Sequence, residues 1–166
     1  MADVKSTASP QFLREEELRQ AIELLYYGYR DFTAEPDAML ARHGFGRAHH
    51  RVIYFVGRHP QMSVSDLLAI LRITKQSLSR VLSQLVRQGF IRQSPGSRDR
   101  RRRLLELTEK GVELERQLSE NQRQRIACAF REAGAQAVDG FRKVMFGIIS
   151  SDEDRKRIGR RGEGSR

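Results

Sequence analysis

The sequence predicts a mainly α-helical fold with a small β-wing, and three observations carry that prediction. Apolar residues recur at helical spacing through most of the 166 residues. Two short, partly alternating runs, Phe90-Ile91-Arg92-Gln93 and 102–107, flank the turn-forming Ser94-Pro95-Gly96-Ser97 and read as one hairpin. Two short helical patterns joined by Arg72-Ile73 precede it, the order of a helix-turn-helix followed by a wing.

Residues 1–11 are small and polar, contain Pro10 and read as a flexible arm. Leu18, Ile22, Leu25, Tyr26, Tyr29 and Phe32 then describe an amphipathic helix of about five turns, its aromatic stripe read as packing. Residues 31–46, with Pro36, Gly44 and Gly46, read as a connection holding a short helix. A helix from Arg47 to Arg58 turns Ala48, Val52, Phe55 and Val56 inward and stops before Pro60. Ser63-Val64-Ser65-Asp66 has the form of a capping box, in which the serine hydroxyl accepts from an early amide while the acid reaches back. It opens a helix over 64–71.

Thr74 caps the next helix, whose Leu78, Val81, Leu82, Leu85 and Val86 share one face, and Gly89 supplies the left-handed residue that ends it. After the hairpin, Thr108 caps a long helix reaching about Gly134. That helix turns polar between Ser119 and Arg125, which predicts that it bridges two packed bodies through solvent. Val138, Phe141, Val144, Met145, Ile148 and Ile149 form a last amphipathic helix, and 151–166 reads as a charged flexible tail. The expected divisions are the arm, an N-terminal helix and connection over 12–43, the helix-turn-helix and wing over 44–108, C-terminal helices over 109–150, and the tail.

Composition narrows the function. With 39% hydrophobic and 31% charged residues and no tryptophan, the apolar surface is thin for several long helices, so burial between two copies is expected. Cys128 is the single cysteine, which excludes an intrachain disulfide and a thiolate zinc site and suits a reducing compartment. In its helix it reads as a small buried hydrophobe. No apolar run has the length of a membrane span and Met1-Ala2-Asp3-Val4-Lys5 does not resemble a signal segment, so a cytoplasmic chain without a membrane partner is expected. Paired carboxylates, a Ser-His-Asp set, a phosphate loop and a metal cluster are all missing at usable spacing, so neither an enzyme nor a cofactor is expected. Gly44-Phe45-Gly46 lacks the preceding strand and third glycine of a dinucleotide loop. His49 and His50, adjacent on a helix, point about 100° apart and read as surface or packing rather than metal ligands.

The formal net charge is +10, and between Arg72 and Arg103 ten basic side chains face one acid, Asp99. Charge focused on one supersecondary unit marks a surface for phosphates and points to double-stranded DNA as partner. Lys75, Gln76, Ser77 and Arg80, in the first two turns after Thr74, are placed to reach base edges in a major groove. Ser79, Gln84 and Arg87 lie further along or to the side, where phosphate contacts set register. At the hairpin tip an aspartate among arginines can fix one guanidinium by a bidentate pair, and a narrow minor groove attracts that cation. Asp99 is that acid, and Arg98, Arg100, Arg102 and Arg103 are phosphate partners. The alternative is a nonspecific nucleoid- or RNA-associated protein. Against it, the basic segment interleaves only one aromatic, Phe90, where single-strand platforms use several.

Taken in order, Ser-Val-Ser-Asp-Leu-Leu, Thr-Lys-Gln-Ser-Leu-Ser-Arg-Val-Leu, Gly-Phe-Ile-Arg, Asp-Arg-Arg and Leu-Thr-Glu-Lys-Gly between Met62 and Gly111 resemble the MarR family of bacterial regulators. The run from Gly46 to Val52 is similar to a proteobacterial branch called PetP-like. The resemblance implies a homodimer with interlocking terminal helices and two winged helix-turn-helix lobes on a near-palindromic operator. Many members are repressors released by small phenolic compounds, by oxidants at a reactive cysteine or by metals, and the resemblance does not choose among these. It implies that Asp99 orients Arg101 toward the minor groove, and that an effector pocket lies between dimer helices and DNA lobes near Arg30, His50 and Tyr54. Gly46 stands where many members carry a Thr or Ser cap, leaving Arg47 to replace that hydroxyl on phosphate.

Overall fold

The computed structural model describes residues 10–159. A short 3-10 turn, Gln11–Leu13, leads into α1, Glu15–Ala41. There follow α2, Arg47–Arg58; β1, Met62–Ser63; α3, Val64–Leu71; α4, Lys75–Arg87; β2, Ile91–Pro95; and β3, Arg103–Leu107. Three further helices complete the chain: α5, Glu109–Ala133; α6, Ala135–Ile148; and α7, Asp152–Gly159.

The caps form as the residue types require. Ser63 Oγ accepts from the Asp66 amide at 3.1 Å, and the Asp66 carboxylate accepts from the Ser63 amide at 3.0 Å. The Ser63 hydroxyl also donates to the Asp66 carboxylate at 2.7 Å, and that bond, with the one from the Ser63 amide and nearby Arg102, holds the Asp66 carboxyl below the usual range. Thr74 and Thr108 each accept from the amide three residues on, at 3.1 Å, opening α4 and α5. Gly89 takes φ +79° after α4, and the Phe90 amide returns to the Leu85 carbonyl.

The core gathers Val52, Ile53 and Val56 of α2, Leu67 of α3, Leu78, Val81, Leu82 and Leu85 of α4, Phe90, Ile91 and Leu105 of the sheet, and Leu114 and Leu118 of α5. Val86, expected on the inner face of α4, is 38% exposed. The sheet is antiparallel in the order β1-β3-β2, with Arg92 opposite Glu106 and Pro95 opposite Arg103. β1 was not expected. It pairs Met62 with Leu105, and two residues show no period to read.

Three expectations need correction. Most of the connection over 31–46 is the end of α1, which runs unbroken through Pro36 to Ala41, and only 42–46 link it to α2. Proline removes one helical donor and so frees the carbonyl of Phe32, four residues earlier. Gln122 of α5 takes that place, its Nε2 donating to Phe32 O at 3.4 Å. The middle of α5 does not cross solvent alone: beside Gln122, Asn121 donates to Glu35 of α1. The tail expected over 151–166 contains a helix, α7, begun by Ser151, whose hydroxyl accepts from the Asp154 amide. Asp154 also meets Arg72, at the end of α3, at 3.3 Å. The expected arm over 1–11 lies mostly outside the described residues, and Gln11 belongs to the short turn before α1.

The apolar stripe of α1 is not in this chain's core. Leu18, Ile22, Leu25, Tyr26 and Tyr29 are each about half exposed or more, as are Phe141, Val144 and Ile148 of α6, whereas Thr33, Pro36 and Leu40 are buried. Cys128, expected to be buried, is exposed, its Sγ 3.5 Å from Glu132. No helix among the described residues is long and apolar enough to cross a membrane.

Candidate nucleic-acid interface

Helix α4 projects two kinds of side chain. Leu78, Val81, Leu82 and Leu85 hold it in the core, which leaves Lys75, Gln76, Ser79, Arg80 and Arg87 exposed and Ser77 half-buried. Gln84, expected on phosphate, turns its oxygen inward: His49 Nε2 lies 2.6 Å from Gln84 Oε1.

At the hairpin tip Gly96 donates to the Arg102 carbonyl at 2.8 Å and the Arg102 amide returns to the Asp99 carbonyl at 3.1 Å. A Cβ on Gly96 would sit 2.7 Å from the Asp99 carbonyl oxygen, so the turn closes this tightly only around glycine. Asp99 Oδ1 accepts from the Arg101 backbone amide at 2.9 Å. The expected bidentate pair between Asp99 and an arginine is therefore not what the acid makes here. It folds the backbone beneath Arg101, a turn that aspartate favours because its short side chain reaches the amide two residues on.

Among the described residues, ion pairs neutralise some cations and leave others open, and open ones occur outside α4 and the wing too, at Arg14, Arg42, Arg51, Arg58, Arg125, Arg131 and Lys143. Arg19, Arg47, Arg116, Arg123 and Arg157 each have a carboxylate within 3.0 Å. Lys75, Arg80, Arg87, Arg98, Arg100, Arg101 and Arg103 have no ion-pair partner among the described residues. Arg102 lies 3.6 Å from Asp66, and Arg92 pairs with Glu106 across the hairpin at 2.8 Å. Such a field of unopposed cations on a capped helix and a closed hairpin can bind a polyanion through phosphates and read base edges through the exposed side chains of α4.

Arg47, expected on phosphate, is engaged within the chain. Its guanidinium pairs with Asp37 at 2.9 Å and lies over the Tyr29 ring. It faces a cavity of about 970 Å³ between α1, α2 and α5, lined by Phe32, His50, Tyr54, Ile126 and Phe130 among others. His50 and Tyr54 thus meet as expected. Arg30 does not line the cavity; it pairs with Asp31 at 2.9 Å and covers Tyr27. Burial holds the His50 imidazole below the ordinary histidine range, which keeps it neutral in that cavity. Among the described residues no three metal-binding side chains converge.

Comparison with known proteins agrees with this arrangement. The profile of the MarR family matches residues 43–102. The HTH-type transcriptional regulator PetP of Rhodobacter capsulatus is 52% identical over 134 residues, 81% of each chain. Streptococcus pneumoniae FabT, solved in complex with DNA, superposes with a TM-score of 0.69 at 18% identity over 79% of this chain and 94% of its own. A mutant E. coli MarR complexed with operator DNA gives 0.61 at 18% identity, over 85% and 99%. This chain belongs to the MarR family of winged helix-turn-helix transcriptional regulators.

Proposed function

We propose that the protein is a sequence-specific binder of double-stranded DNA that acts as a homodimeric repressor on a near-palindromic operator. The observation that carries this is the set of unopposed cations on α4 and the wing tip, beside the exposed Gln76 and Ser79. In this reading α4 enters the major groove, where Lys75, Gln76, Ser77 and Arg80 meet base edges, and Arg101 reaches the minor groove alongside. Ser79, Arg87, Arg98, Arg100 and Arg103 hold phosphates. Two solved relatives with this fold carry DNA in their structures, which supports the assignment.

Pairing is supported by the exposed apolar faces of α1 and α6, where Ile22, Tyr26, Val144 and Ile148 are each more than half exposed, since exposed apolar faces of this kind mark interaction surfaces. The cavity beside His50 and Tyr54 supports an effector whose binding changes the spacing of the two reading helices and so lowers DNA affinity.

Fluorescence anisotropy with the protein's own upstream duplex and a random duplex, at several salt concentrations, tests the assignment. Tighter binding to the upstream duplex is expected, with log affinity falling linearly as log salt rises. Equal affinity for the two duplexes, or indifference to salt, would sink it, and sedimentation as a single subunit would remove the dimer.

A further inference from the structure

We propose that His49 is a positioning residue that makes Gln84 a dedicated hydrogen-bond donor to a DNA phosphate. The proposal rests on α4 being the reading helix. His49 is buried, with its ring stacked on Phe45 at 4.6 Å and 13°, and Phe45 meets Phe90 edge-on at 5.3 Å. Its Nδ1 lies 3.1 Å from the Gly46 amide. A backbone N–H can only donate, so Nδ1 is the acceptor and the neutral ring carries its hydrogen on Nε2. Gly46 has no side chain to accept from the first amides of α2, and the histidine three residues on makes the reciprocal bond, accepting from the Gly46 amide itself.

With hydrogen on Nε2, the atom it meets 2.6 Å away must be an acceptor, which fixes Gln84 with its oxygen toward His49 and its amide nitrogen outward. That nitrogen makes no other hydrogen bond among the described residues. Gln84 is half-buried on α4, one turn beyond Arg80 and two beyond Ser77 on the same face. A glutamine whose oxygen is occupied cannot make the paired donor and acceptor contact that recognises adenine. It keeps two donors, and its place in the third turn, behind the residues that reach bases, suits a phosphate oxygen. His49 therefore transmits the fixed position of the start of α2 to a DNA contact without touching DNA.

Anisotropy with the full chain and the same two duplexes tests this, each variant being checked by its melting temperature. Gln84→Ala is expected to weaken both duplexes equally, by about tenfold, with an unchanged salt slope because a neutral donor displaces no cation. His49→Asn keeps an acceptor near the Gly46 amide and loses the reach to Gln84. It should weaken binding by a similar factor alone and add nothing in the Gln84→Ala background. Gln84→Glu retains an acceptor for Nε2–H and hence the fold, but turns a carboxylate oxygen toward phosphate, so it should bind more weakly than Gln84→Ala at an unchanged melting temperature. The inference is overturned if His49→Asn costs as much in the Gln84→Ala background as alone, if Gln84→Ala changes base preference, or if Gln84→Glu binds like the parent. A parent protein that binds neither duplex would overturn the DNA-binding reading itself, and this one with it.

Discussion

Gly111→Ala is the substitution at which local and tertiary physics disagree most sharply. Gly111 lies in the first turn of α5, where replacing glycine by alanine ordinarily stabilises a helix by about 1 kcal/mol. A Cβ at this position, however, would lie 2.1 Å from the Phe90 carbonyl oxygen, and 3.3 Å from Leu107 Cβ. The oxygen cannot swing aside, because it accepts the Thr108 amide at 3.1 Å while Phe90 is itself buried. Relief needs α5 and the start of β2 to separate by roughly 1 Å, at the usual overpacking cost of about 1–3 kcal/mol. Losing the Thr108 bond and straining the Thr108 hydroxyl bond to Gly89 O adds about 1 kcal/mol each. Set against the helical gain, the net loss is about 2–4 kcal/mol, a fall in melting temperature of roughly 4–16 °C for a chain this size. Urea and thermal unfolding, with exposed Gly140→Ala as control, check this; Gly140 has open space around it and should lose nothing. A Gly111→Ala protein as stable as the parent would refute the reasoning.

Three other outcomes are expected. Asp99→Asn keeps an acceptor for the Arg101 amide and removes a negative charge, so it should bind DNA at least as tightly as the parent, whereas Asp99→Ala loosens the tip and should bind more weakly; anisotropy separates them. Ser63→Ala removes the cap of α3 and should cost about 1 kcal/mol by urea titration. His50 is held neutral by burial, so below about pH 6.5 the unfolded chain binds more protons than the folded one. Stability should therefore fall as pH drops from there toward the lower folded value and level off beneath it. In His50→Gln that part of the slope should vanish from melting curves taken between pH 5 and 8.

What the residues announced in advance was mostly local. Ser63, Thr74, Thr108 and Gly89 bound α3, α4 and α5 because a cap bonds within three residues of itself, so its partner is visible in the same stretch. The hairpin was legible for the same reason. Pro36 misled because the group that satisfies the freed carbonyl, Gln122, is far along the chain. The apolar stripe of α1 was correctly seen as a face, but periodicity does not say what the face meets, and in the single chain it meets water. Asp99 was placed at the tip, yet its partner is a backbone amide rather than a guanidinium, a choice set by the closed turn at Gly96. Gln84 looked like a surface polar residue until α2 brought His49 beside it.

The proline within α1 also governs how the two halves of the molecule can move. Sliding or rolling α1 along α5 would strip the Phe32 carbonyl of its glutamine and leave a backbone oxygen without its bond, so the two helices are bolted together at that level. Leu114 and Leu118 of α5 are part of the core that holds α4 and the sheet, so the lobe is carried on the same helix that clasps α1, and a push delivered to α1 would reach the lobe through α5 itself.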